Sequence, residues 1–330
     1  MDLDSLSVLM IWTAIAIYVG AFICFAFDLA RRSQVASDEK LAQPELVLAG
    51  AGAGAAASAS AGTGVGAVSP TQGAAARFVM ARVGMALTVL GFAFHLGATI
   101  LRGIAAERVP WSNNYEFAMT GTVLIIAVYV AVNIKLDLRY LGTFIMGLMV
   151  VLLGGATLTF YVEVAPLSDP LKSAWLVIHV FVASLSTAFF ALSCALSALQ
   201  LMQSRRERFV AEGSGKNRMR FLTTLPDAER LEALAYRFAT IGFILWTFTL
   251  IAGSIWAQDA WGRYWGFDVK ETWTFIIWVL YAGYIHARAT RGWRGNRAAW
   301  LSIVGFSAVI FNFSIVNIFF KGLHAYSGLN

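Results

Sequence analysis

The chain has 330 residues, 58% of them hydrophobic and only 13% charged, and a net charge of +6. Soluble domains carry about 25% charged residues, so this composition excludes a soluble enzyme and fits a polytopic membrane protein. The Lys and Arg cluster between apolar runs, which reads as orientation in a bilayer rather than affinity for nucleic acid.

The expected fold is all-α, with about eight transmembrane helices, because many apolar runs exceed the roughly 20 residues that cross a bilayer. The spans fall near 6–30, 78–103, 115–134, 139–161, 173–203, 236–257, 271–290 and 298–320. Residues 1–32 read as a retained first span. Asp2 and Asp4 stand where a secretory signal carries basic residues, and no A-x-A site precedes Arg31. The stretch "AGAGAAASASAGTGVGAVSP", Ala49 to Pro70, cannot build a core, so 33–76 is expected to be a disordered cytoplasmic linker. Residues 77–330 then form a seven-helix membrane domain. Cys24 and Cys194 lie inside apolar runs without C-x-x-C spacing and read as small buried side chains.

Basic residues set the topology. Arg31, Arg32, Lys40, Arg77, Arg82, Lys135 and Arg139 fall on one side, with the runs Gln203–Arg220 and His286–Arg297. Of the 25 Lys and Arg, all but Arg102, Arg108, Lys172, Arg263, Lys270 and Lys321 share that side, which places it in the cytoplasm. Both termini are then extracytoplasmic, as is the connection between the sixth and seventh spans. The membrane is a plasma or thylakoid-like one.

The four histidines divide by depth. His95 and His286 lie within the second and seventh spans; His179 opens the fifth span and His324 follows the last, both at the outer face. An ionisable side chain inside a span faces a cavity or a partner. Taken singly, each is equally well explained by a helix–helix hydrogen bond. No two are three or four residues apart, so no local zinc motif exists. A cofactor needing two imidazoles from separate helices fits, and haem is one. Gly84, Gly91, His95, Ala98 and Arg102 share a helical face. The small residues leave room for a flat ring, or simply permit close packing. Arg102 is placed to meet a propionate. Ala282 and Gly283 leave similar room before His286, and Trp175 shares a face with His179.

The outer connection 256–273 is the most unusual stretch. Trp256, Trp261, Tyr264, Trp265, Phe267 and Trp273 are interleaved with Arg263, Asp268, Lys270 and Glu271. An interfacial belt explains one or two rings, not this mixture. A planar apolar ligand with carboxylates explains it better: the rings stack, and Arg263, Lys270 and indole N–H groups hold propionates. Asp268 and Glu271 are expected to pair with the basic residues and fix the loop.

"WGRYWGFDVKE", Trp261 to Glu271, resembles the tryptophan-rich W-G-x-x-W-x-W-D-x-K-E signature (WWD) of haem-handling proteins of cytochrome c biogenesis. Within these the chain is most similar to the CcsA/ResC family of the System II pathway. "PWSNNYEF" (Pro110–Phe117), "WLVIHV" (Trp175–Val180), "YIHAR" (Tyr284–Arg288) and "GLHAYSG" (Gly322–Gly328) resemble further motifs of that family. The likeness covers about 78–330. Phe267 stands where the signature has Trp, and Val269 where many members have Pro; "AERV" before Pro110 lacks a common Gly-His pair.

The resemblance implies haem transport to the outer face and covalent attachment to apocytochrome c through its C-x-x-C-H cysteines. Haem b is then the transported substrate, and a ResB-type membrane protein the partner. Carried over by position, His95 and His286 ligate haem within the membrane and His179 and His324 ligate it beneath the aromatic loop, with no separate catalytic side chain. The rivals are a System I-type haem delivery protein and a non-haem transporter relaying protons through histidines.

Overall fold

A computed structural model of the chain describes residues 2–52, 79–165, 172–213, 220–290, 293–320 and 322–323. These residues form helices and connections, with no strand among them. The helices are α1 Leu3–Gly52, α2 Val79–Ala106, α3 Asn114–Asn133, α4 Gly142–Thr159, α5 Ala174–Ala211, α6 Ala228–Trp261, α7 Val269–Ala289 and α8 Asn296–Phe311. Helix α8 widens into a π-helical turn, Asn312–Val316, and ends in one further turn, Asn317–Phe319. The backbone of α1 runs on to Gly52, into the expected linker, whose remainder from 53 lies outside the described residues.

Seven of the eight expected spans are helices long and apolar enough to cross a membrane. The eighth, α7, has spanning length at 21 residues. Its Trp, Tyr, Thr, His and Arg content leaves it without a stretch as apolar as those of the other seven. The protein is an all-α polytopic membrane protein.

Short polar residues fix where the helices begin. Asn113 accepts from Glu116 N at 2.9 Å to cap α3, and Asp227 accepts from Arg230 N at 2.7 Å to cap α6. Helix α6 stops at Gly262, whose φ of 69° is the left-handed conformation that ends helices without cost at glycine.

Helix α1 packs on α2 and α4; α5 and α6 form the tightest pair, with α7 against α6 and α8 against α5 and α7. Helix α3 joins the two groups by touching α2, α4 and α5.

The contact of α1 with α2 corrects one expectation. The small-residue face around His95 leaves no room for a flat ring, because α1 fills it. The Tyr18 ring lies 2.6 Å from where a Cβ on Gly91 would stand, and Phe25 lies 3.1 Å from that of Gly84. Gly84, Gly91, His95, Ala98 and Arg102 are all buried. Close packing was the right reading of those glycines.

Helices α5 and α6 are tied by a repeating contact. Ser193 Oγ donates to Ala235 O at 2.9 Å, Ser186 Oγ to Gly242 O at 2.6 Å, and His179 Nδ1 meets Thr249 O at 2.9 Å. Along α5 the positions rise by seven while on α6 they fall by seven. This is the seam of an antiparallel heptad pair, with side chains bonding to the facing backbone.

Candidate functional site

The candidate site is assembled from the N-terminal turns of α5, the end of α6, the connection to α7 and the end of α8. His179, on α5, stacks on Trp256 of α6 with ring centroids 6.0 Å apart and planes 18° apart. Trp256 in turn meets Trp261 edge-on at 4.7 Å. Trp111, Leu176 and Val180 pack with these indoles. The aromatic neighbour of His179 is thus Trp256, from the next helix; Trp175, one turn away on α5, is exposed.

Two adjoining cavities open at this point, about 450 and 840 Å³ measured to their open mouths. Both are lined by His179, Thr249, Lys270 and Thr274. The first adds Trp256, Tyr264, Trp265 and Glu271, all from the tryptophan-rich segment. The second runs inward past Ala183, Thr187 and Trp246 to Ile125 and Leu152, deep in α3 and α4. Their walls have the usual make-up of small-molecule sites: mostly apolar with a few polar groups.

The segment between α6 and α7 is held by its acids through the backbone. Glu271 Oε2 accepts from Gly266 N at 2.8 Å and Asp268 N at 3.1 Å, while Asp268 caps α7, a reciprocal capping box. Both acids thus tie the loop to the start of α7 through backbone N–H groups. Arg263 is exposed and lays its guanidinium over Gly266. Phe267 is 82% exposed at a φ of 56°, a costly conformation for a large side chain, and meets Trp265 edge-on at 6.3 Å. Tyr264 is likewise exposed.

Lys270 connects this segment to the C-terminal helix. Its Nζ donates to Asn317 Oδ1 at 2.5 Å, and Asn317 Nδ2 donates to Asn114 Oδ1 at 3.1 Å. Farther on, the Asp268 carboxylate occupies the space a Cβ on Gly322 would need. His324, two residues beyond, lies outside the described residues.

The inner histidines are not brought together. His95 is fully buried, with Nε2 3.0 Å from Met119 O and Nδ1 3.3 Å from Tyr18 Oη. A carbonyl only accepts, so Nε2 carries the proton and Tyr18 donates to Nδ1. His286 is exposed on α7, on the same face as Gly283, Val279 and Phe275. The main neighbours of α2 are α1, α3 and α4, whereas those of α7 are α6 and α8.

Arg102 sits away from both cavities, in a buried ion cluster. Its Nε, Nη1 and Nη2 donate to Glu116 (3.0 Å), Asp4 (2.5 Å) and Val162 O (2.9 Å). Arg108 adds a 2.6 Å pair to Glu116, which also accepts from Ser112 N at 2.9 Å. The "PWSNNYEF" motif therefore builds an anchor: Asn113 caps α3, Glu116 gathers two arginines, and Asn114 reaches Asn317. Beside the cluster, burial and its hydrogen bond to Asp4 hold the Tyr161 phenol above its ordinary range.

Sequence reasoning missed Thr249, Gly253, Thr274, Asn312 and Asn317. Only Gly253 left a signal, as a glycine, like Gly242, within an apolar helical run. No group of three or more metal-ligating side chains occurs among the described residues.

Residues 111–324 match the cytochrome c assembly protein family. A cytochrome c biogenesis protein CcsA of Heterosigma akashiwo is 36% identical over 249 residues, 67% of this chain and 77% of that protein. One from Guillardia theta is 35% identical over 245 residues, 69% and 80% of the two chains. One from Synechococcus sp. is 38% identical over 177 residues, 49% and 58% of the two chains. With residues 111–324 matched to the family and two thirds of its length aligned at 36% identity, the chain belongs to the CcsA family of cytochrome c biogenesis proteins.

Proposed function

We propose that this chain carries haem b to the outer face of the membrane and holds it there for covalent attachment to apocytochrome c. It acts as one subunit of a System II haem lyase with a ResB-type partner. The observation that carries this reading is the placement of His179. Its ring borders two connected cavities, is backed by Trp256, and stands across from Tyr264, Trp265 and Lys270.

His179 and His324 are the axial ligands of this outer station. Gly322 against Asp268 supports the second, since it brings the chain to the loop two residues before His324. Trp256, Trp265 and Tyr264 offer stacking surface, and Lys270 and Arg263 offer cations for propionates. Trp261 backs Trp256.

Attachment needs no redox partner: each cysteine thiol adds across a vinyl double bond, sulfur to one carbon and proton to the other. The chain's contribution is to hold the vinyl edges where the thiols arrive. For an inner station, His286 beside Gly283 is the supported ligand. His95 is engaged by Tyr18 and Met119, and its expected pairing with His286 has no geometric support.

The complex purified with its partner should show a Soret band. His179→Ala and His324→Ala should each abolish cytochrome c maturation. A haem-free wild-type complex, or intact maturation in either variant, would sink the proposal.

A further inference from the structure

We infer that Gly253 and the Thr249 carbonyl are positioning groups that decide which nitrogen of His179 meets iron. The inference rests on the outer-station reading and deepens it. The Thr249 carbonyl can only accept, so the nitrogen 2.9 Å from it, Nδ1, carries the ring proton. In the neutral ring the lone pair is then on Nε2, and Nε2 is the ligating atom. A hydrogen bond from Nδ1–H to a backbone carbonyl fixes the tautomer and raises the basicity of the ligand, as it does for metal-bound imidazoles generally.

Two neighbours on the same face of α6 keep the ring from turning. Thr249, Gly253 and Trp256 follow one another by four and three residues. A Cβ on Gly253 would stand 2.6 Å from His179 Cε1 and 2.8 Å from Nδ1. The ring lies directly on the glycine, so any other residue there must push it off Thr249. Trp256 lies nearly parallel to the ring and limits its tilt. The rungs at Ser186 and Ser193, spaced by the same seven residues, keep α5 from sliding along α6. The glycine is thus required by the histidine it faces, not by a turn.

The test is Gly253→Ala in the full chain with its partner, read by the Soret and visible bands and by cytochrome c yield. Displacing a second-shell partner of a metal ligand costs about 10- to 100-fold, and a loss of that size is expected in both readouts, with imidazole in the medium restoring part of it. In a His179→Gly background supplied with imidazole, adding Gly253→Ala should change nothing, because no tethered ring remains to be displaced. If the single variant fails to accumulate, its recovery on adding His179→Gly supports the inference. Equal loss in both backgrounds overturns it, as does a Gly253→Ala protein with wild-type spectrum and yield. A wild-type complex without haem absorption overturns the outer-station reading itself, and is distinguishable from either result.

Discussion

His95 and His179 share one arrangement and differ in their surroundings. Each places one ring nitrogen about 3 Å from a carbonyl on a neighbouring helix, Met119 for the first and Thr249 for the second. They differ in what lies at the other edge of the ring. At His95 that edge meets Tyr18, and the side chain is sealed between α1 and α3. At His179 the ring borders two cavities lined by aromatic and cationic side chains. A histidine within a membrane protein is therefore not assigned by depth alone. What matters is what the fold sets against the ring: a sealed contact with Tyr18 at His95, the walls of two cavities at His179.

The largest effect tests this directly. His179→Ala should remove haem from the outer station and cut cytochrome c yield at least about tenfold, with little change in thermal stability. His95→Ala should do the reverse. Losing a buried hydrogen-bonded ring should lower stability by about 2–4 kcal/mol in a detergent melt, while the outer Soret band persists. Identical haem loss in the two variants would erase the distinction. Gly91→Ala comes next. Its methyl collides with Tyr18, and overpacking of this kind costs about 1–3 kcal/mol, read as a lowered melting temperature with haem retained. Ser186→Ala, which removes one rung of the α5–α6 seam, should cost about 1 kcal/mol. The smallest effect is expected at Phe267, whose ring points outward. Phe267→Trp should leave maturation unchanged and stability within about 0.5 kcal/mol; a clear loss would mean that this ring touches the substrate.

Much of the fold was legible because a bilayer imposes length. Runs of about 20 apolar residues can only be buried in lipid or against one another, and the spans followed. The segment 256–273 stood out by composition, through the density of its rings and charges. What composition cannot carry is a partner distant in sequence. Gly84 and Gly91 look alike whether they face a ligand or Tyr18, and nothing local says that α1 covers them. Arg102 reads as a waiting cation, but its partner Asp4 is 98 residues away. Asp268 and Glu271 were legible as acids that fix the loop, and their three-residue spacing, a helix-start signature, also carried the way they do it. Ser186 and Ser193 are ordinary small residues until α6 is laid beside them.

The seven-residue spacing of the α5–α6 contacts also constrains how such a chain can change length. Each residue advances a helix by about 100° of rotation. A single insertion or deletion between Ser193 and His179 would therefore carry the imidazole roughly a quarter of the way around α5, away from Thr249 and off the cavity. The same change in the connection between Ala211 and Ala228 would leave every rung in place. Gains and losses of residues should therefore accumulate in that connection and be absent between the rungs, so that the distance from His179 to Ser193 behaves as a fixed length in a protein whose loops are free to vary.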